Sequence, residues 1–312
     1  MQKQRQLGTS DISITPLVLG GNVFGWTADE KASHAILNAF VDRGGNAIDT
    51  ADVYSAWVPG HQGGESESVI GRWLKASGKR NKVVIGTKVG MWPKRIGIKR
   101  DNIVAACDDS LGRLGVDTID LYWLHRDDEA THAEEYVAAL EELKRAGKVR
   151  TFGASNFKPD RFAEGLAEAK KRRLHIDAQQ PEYNLMNREI EAELLPLCER
   201  EQVSVLPYYG LASGYLTGKY RTAEDKAKSP RGGRMDKYME GKGPAVLAAL
   251  DAIAARLKAT DAQVALAWVM AKCKNGAPIA SATSVAQLNE LMGALDVALT
   301  ADDVAALDKA SA

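Results

Sequence analysis

Eight short apolar runs recur along this chain, each separated from the next by an amphipathic stretch. They are ITPLVLG (14–20), NAIDT (46–50), KVVIGTK (82–88), TIDLYWLH (118–125), VRTFGAS (149–155), DAQQPEY (177–183), VSVLPYY (203–209) and APIASA (277–282). Several are continuously apolar, as expected for parallel strands covered by helices on one side and packed on the other. Between them, apolar residues fall three and four apart: Ala32, Ala35, Ile36, Ala39 and Phe40; then Ile103, Ala106, Cys107, Ser110, Leu111 and Leu114; then Leu288, Leu291, Met292 and Leu295. Thr27 with Glu30, Thr131 with Glu134, and Thr260 with Gln263 read as capping boxes, and Gly147 reads as a helix stop.

Such alternation leaves a doubly wound sheet or a closed (β/α)8 barrel. No GxGxxG follows the first run, which favours the barrel. The length of 312 residues exceeds an ordinary domain, yet one barrel of about 250 residues or more is a single unit. With no Pro/Gly/Ser-rich linker, residues 1–312 are expected to form one α/β domain, a TIM barrel with long loops at its C-terminal face. The one long irregular stretch, Ser229–Gly243, reads either as a solvated loop or as a flap beside the active site.

Forty-one basic residues balance forty-one acidic ones, which argues against a nucleic-acid or membrane-surface partner. The N-terminus lacks the apolar core of a signal peptide, and no run approaches the length of a membrane span. A cytoplasmic protein, monomeric or weakly self-associating, is the expectation. Cys107, Cys198 and Cys273 lack metal-type spacing and read as buried apolar residues. The five histidines show no ligand-like clustering, so no metal is expected.

Polar residues end several runs. Asp49 closes the second, Lys88 the third and His125 the fourth, and Tyr54 follows Asp49 on the next loop. In a parallel barrel these ends share the face where active sites form. A carboxylate, a phenol, an ammonium and an imidazole meeting there are equipped to protonate an oxygen. In this reading Lys88 lowers the pKa of Tyr54, Asp49 keeps Lys88 charged, and His125 orients a carbonyl. Each also has an ordinary explanation: Asp49 as a loop cap, Lys88 as a rim charge, His125 as a structural histidine.

The segment Asp49-Thr50-Ala51-Asp52-Val53-Tyr54 resembles the DTAxxY motif of the aldo-keto reductase superfamily. IGTKVG (85–90), DLYWLH (120–125), FGASNF (152–157), EYN (182–184) and SGYLTGKY (213–220) resemble further segments of that family, in order, over nearly the whole chain. The resemblance implies a catalytic tetrad of Tyr54, Asp49, Lys88 and His125 that reduces aldehydes or ketones to alcohols, or the reverse, with Tyr54 as general acid. It implies a nicotinamide cofactor whose carboxamide lies on Ser155, Asn156 and Gln180, beside Asp49, with Tyr208 stacked on the ring. Gly210, Leu211, Ser213, Gly214 and Lys219 would meet the pyrophosphate. Thr283, Ser284 and Gln287 would lie at the adenosine end, where NADPH-preferring relatives often carry Lys or Arg. NADP(H) is expected by family habit, with NAD(H) as the alternative; Arg231 or Arg234 would supply a missing phosphate partner. Leu291 stands where an adenine-contacting asparagine is usual. Trp26, Trp57 and Trp92 would wall the substrate pocket with Tyr54 and His125. Arg126 would bind a polar or anionic substrate, or pair with Asp127 or Asp128. The competing function is a cofactor-sensing regulatory subunit with little turnover.

Overall fold

The computed structural model describes residues 4–222, 224–225, 233 and 235–312. Arg231 and Arg234 lie outside those residues, as do 229, 230 and 232 of the long irregular stretch. Each apolar run overlaps a strand: β1 (Val18–Gly20), β2 (Ala47–Asp49), β3 (Val84–Val89), β4 (Ile119–Leu124), β5 (Val149–Ser155), β6 (Ile176–Gln180), β7 (Ser204–Val205) and β8 (Ile279–Ala280). All but β5 are shorter than the run they fall in. Pro16, Pro181, Pro207 and Pro278 stand at or near four of the clipped ends, where a residue without an N–H cannot extend the ladder.

The strands pair in parallel in the order β7-β6-β5-β4-β3-β2-β1-β8. Two backbone bonds, from Ala277 N–H to Val205 O (3.2 Å) and from Ile279 N–H to Pro207 O (2.8 Å), join the outer strands and close the ring. The expected (β/α)8 barrel is the observed fold.

Helices α1 (Glu30–Asp42), α2 (Glu65–Ser77), α3 (Arg100–Leu114), α4 (Ala133–Arg145), α5 (Pro159–Lys171) and α6 (Leu194–Arg200) follow the first six strands. After β7 come α7 (Asp236–Met239), α8 (Gly243–Leu257) and α9 (Asp261–Lys272), and after β8 come α10 (Val285–Met292) and α11 (Ala301–Ala310). Most of the apolar faces expected on α3 and α10 are buried, with Leu111 half-buried and Leu295 half-buried just beyond α10. On α1 the buried set is Ser33, Ile36, Leu37 and Phe40, with Ala35 outside. The larger Leu37 draws the face round from the alanines.

The Thr260–Gln263 capping box opens α9. The other two expected boxes are corrected. Asp29 caps α1, accepting from the Ala32 N–H at 2.8 Å. A carboxylate next to the first turn is the stronger cap, since its charge also meets the positive end of the helix dipole. At α4 the cap position is His132, and the Thr131 hydroxyl donates to Asp128 Oδ2 (2.8 Å).

Inward residues alternate along each strand. Val18, Ala47, Leu121, Trp123, Ala178, Leu206 and Ala277 form the barrel interior, together with Leu7, Ile12 and Ile14 of an N-terminal hairpin. In that hairpin Arg5–Gln6 pairs with Ser13–Ile14 across the N-terminal ends of the strands. The Thr9 N–H and the Gly8 N–H tie it to Asp177 Oδ1 (2.7 Å) and Ser204 Oγ (2.8 Å). The Trp123 indole fills the middle. A Cβ on Gly153 would overlap its ring, so only glycine lets β5 pass there. Continuing the alternation outward from Ala47, Gly86, Trp123, Gly153 and Ala178 brings Asp49, Lys88, His125, Ser155 and Gln180 to the last inward layer. The barrel geometry thereby gathers polar residues at one mouth.

Candidate active site

Lys88 Nζ is wholly buried, donating to the Thr50 carbonyl (2.8 Å) and the Tyr54 hydroxyl (2.9 Å) and pairing closely with Asp49 Oδ2. The Tyr54 hydroxyl lies 3.4 Å from the same Asp49 oxygen, and Gln180 Nε2 donates to the other (3.1 Å). The His125 ring meets the Tyr54 ring edge to face at 6.1 Å, and its Nδ1 is buried without a partner. Asp49, Tyr54, Lys88 and His125 are therefore one cluster.

Electrostatics inside it departs from expectation at one point. Burial, then the charge of Asp49, pushes the Tyr54 phenol well above its ordinary value. The net shift is upward although Lys88 donates to the same hydroxyl. Burial lowers the Lys88 pKa, and Asp49 opposes that shift. His125 is held well below its ordinary value by burial first, then by Lys88 and Arg126. The resting site thus carries a neutral phenol, a neutral imidazole and an ammonium–carboxylate pair.

Beside the tetrad, Ser155 Oγ donates to Gln180 O (2.8 Å), and Asn156 Nδ2 donates to His125 O (3.0 Å). The Tyr208 hydroxyl donates to Asn156 Oδ1 (2.7 Å), so Ser155, Asn156, Gln180 and Tyr208 form one connected wall. Asn156 holds a left-handed backbone, φ 58°. The loop after β7 runs through left-handed conformations at Tyr209, Ala212, Ser213 and Gly214, and Gly210 packs against Leu266 and Pro278. Leu211 packs at the edge of the core. Lys219 Nζ lies 3.6 Å from where a Gly214 Cβ would stand. At the start of α10, Ser284 Oγ accepts from the Gln287 N–H (3.2 Å), and Gln287 Oε1 accepts from the Thr283 N–H (2.9 Å). Leu291 is buried in the core.

Of the three tryptophans, Trp26 and Trp57 stand in water, 41% and 49% exposed, and meet edge to face at 5.5 Å. Trp57 continues to Tyr54 at 6.1 Å. Trp92 is half-buried; its indole N–H donates to Gln62 O (2.7 Å), with Lys94 and Arg95 over the ring. Arg126 pairs with neither acid beside it. Arg161 takes Asp127 through two bonds of 3.0 and 3.1 Å, and Asp128 accepts from Thr131.

A second layer went unread in the sequence. Thr50 and Thr87, neighbours of Asp49 and Lys88, are bonded by the first turn of α2: Thr50 Oγ1 to Ser66 Oγ (2.8 Å) and Thr87 Oγ1 to Glu67 Oε1 (2.5 Å). Arg113 of α3 donates to the other Glu67 oxygen (2.6 Å). Asp52 lies close by with Oδ1 buried and unpartnered, its carboxyl pushed up to about 7 by burial and then by Glu67. Nothing in local spacing connects residues 50, 67, 87 and 113.

Among the described residues no helix is long and apolar enough to cross a membrane, and no group of three side chains is placed to hold a metal. Comparison with known proteins places the chain. The sequence pattern of the aldo/keto reductase family matches residues 16–312. The chain is 35% identical to the aldo-keto reductase str7 of Strobilurus tenacellus, over 81% of this chain and 76% of the relative. It is 34% identical to the uncharacterized oxidoreductase YrpG of Bacillus subtilis (strain 168), over 94% of this chain and 91% of the relative. It is 30% identical to the aldo-keto reductase yakc [NADP(+)] of Schizosaccharomyces pombe (strain 972 / ATCC 24843), over 88% and 80%. With a closed parallel barrel, a buried lysine between Asp49 and Tyr54 at its mouth, and a family match over nearly its full length, this chain belongs to the aldo/keto reductase family.

Proposed function

We propose that this protein is an NAD(P)H-dependent carbonyl reductase in which Tyr54 is the general acid. The observation that carries the reading is the wholly buried Lys88, held between Asp49 and the Tyr54 hydroxyl. A bound nicotinamide cofactor supplies the hydride. As charge develops on the carbonyl oxygen, the Tyr54 hydroxyl gives its proton to that oxygen. The raised phenol pKa keeps the proton in place until then. Lys88 stabilises the phenolate left behind, at a cost already reduced because its charge is fixed and oriented by Asp49. His125, neutral, donates one hydrogen bond to the substrate oxygen and so sets its approach.

The residues present fit such a cofactor. Ser155, Asn156 and Gln180 offer amide and hydroxyl groups on the wall beside Asp49, with the Tyr208 ring next to them. The Gly210–Gly214 loop leaves room for close backbone approach where Lys219 supplies positive charge. At the adenosine end Thr283 and Ser284 offer hydroxyls and a helix N-terminus in place of a cation. We assign NADP(H) as the preferred cofactor, supported by the yakc relative's printed name, with NAD(H) as the competitor.

The test is Tyr54→Phe, assayed with both cofactors and 4-nitrobenzaldehyde. Reduction falls by about a hundredfold or more, while cofactor affinity by fluorescence titration changes little. Turnover near wild type would remove Tyr54 from the role.

A further inference from the structure

Near this site stands an arginine that has no acidic partner among the described residues. Within the tetrad Lys88 is balanced by Asp49, and Tyr54 and His125 are neutral. Arg126, directly after His125, is exposed, and among the described residues it has neither a hydrogen bond nor an ion pair. Its two acidic neighbours are committed away from it, Asp127 to Arg161 and Asp128 to Thr131 and the Ala130 N–H. Its charge is felt at both His125, beyond β4, and the Tyr208 phenol, beyond β7. Arg126 itself stands two residues past the end of β4, exposed at the C-terminal rim of the barrel. Glu182, the acid felt on the Tyr208 wall, also lies within reach of the Lys237 ammonium.

Beside Tyr54 stands an apolar platform. Trp26, Trp57, Tyr54 and His125 form a chain of edge-to-face rings, and the first two are left largely in water. Large exposed aromatics beside a polar centre mark where a flat apolar ligand buries surface. A guanidinium without a partner offers a planar pair of donors that matches a carboxylate or phosphate.

We propose that the preferred substrates are flat, typically aromatic, aldehydes or ketones that carry an anionic group remote from the carbonyl, and that Arg126 sets this preference. The carbonyl oxygen meets Tyr54 and His125, the ring lies on the Trp26–Trp57 platform, and the anion reaches Arg126. This rests on the reductase reading above and names its substrate class.

The test compares 4-carboxybenzaldehyde with its neutral methyl ester, methyl 4-formylbenzoate, using NADPH and wild type, Arg126→Gln and Arg126→Lys. Wild type is expected to favour the acid in kcat/KM by about tenfold or more. That ratio shrinks as salt is raised from about 0.05 to about 0.5 M, collapses towards one in Arg126→Gln, and is partly kept in Arg126→Lys. Equal values for the two aldehydes in wild type, or a preference unchanged by Arg126→Gln, overturns the assignment and leaves the reductase reading intact. Turnover of neither aldehyde with either cofactor defeats the reductase reading instead. Calorimetric binding of 4-(hydroxymethyl)benzoate then decides on Arg126: binding lost in Arg126→Gln supports the anion site, and no binding to wild type overturns it.

Discussion

Two buried groups, Tyr54 and Asp52, have pKa values displaced in the same direction with different consequences. For Tyr54 the displacement preserves the acid form, so carbonyl reduction should be flat in kcat from about pH 6 to about pH 9. Alcohol oxidation needs the phenolate and should rise with pH over the same span. A reduction rate that falls through neutrality would point to another proton donor. Asp52 bears on stability. Its carboxyl is pushed up to about 7, above the ordinary carboxylate range. The native state therefore holds a proton that the unfolded state has released, and stability falls as pH rises from about 4 to about 7. Asp52→Asn removes that penalty. Thermal melts should show it stabilising at about pH 8 and nearly neutral at about pH 4. An equal change in Tm at both values would mean that Asp52 stays ionised.

Among the elements, α2 does the most for the site without entering it. Its first turn bonds Thr50 through Ser66 and Thr87 through Glu67, and those threonines flank Asp49 and Lys88 on adjacent strands. Glu67 is fully buried and shared with Arg113, so α2 and α3 together fix the strand ends that carry the ion pair. Glu67→Gln should cost about 1–3 kcal/mol of stability, because a guanidinium loses its charged partner. It should also lower kcat by several-fold with less effect on KM. Arg72→Gln, which breaks an exposed α2 pair with Glu30, is the control and should do neither. Urea denaturation and steady-state kinetics on both variants measure the contrast. Equal kcat values in the two would reduce Glu67 to a packing residue.

For the molecule as a whole, the barrel has two unlike ends. The N-terminal hairpin fills one with Leu7, Ile12 and Ile14, packed on Trp123 and the inward residues of five other strands. The other is left open and polar. Ile14→Ala opens a cavity in a region with no room to collapse and should cost about 2–5 kcal/mol, read by urea denaturation. KM for a neutral aldehyde at a temperature where the variant is folded should not move, since the plug is remote from the mouth. A change in KM would mean that the interior transmits strain along its length.

Period and motif alone carried the strand count, the parallel order and the ends on which Asp49, Lys88 and His125 stand. Alternation in a strand and repetition in a helix are local properties, written in consecutive side chains. The same locality explains the misreadings: Thr27 and Thr131 have capping spacing, yet Asp29 and His132 hold the cap positions. Tertiary structure decided whatever depends on which distant groups share a volume. It bonded the Trp92 indole to Gln62, left Arg126 without a partner among the described residues by giving Asp127 to Arg161, and set Glu67 behind Lys88. It also raised the Tyr54 phenol instead of lowering it. Burial and charge pairing follow from the folded neighbourhood, and residues twenty to sixty positions apart enter it together only once the ring closes.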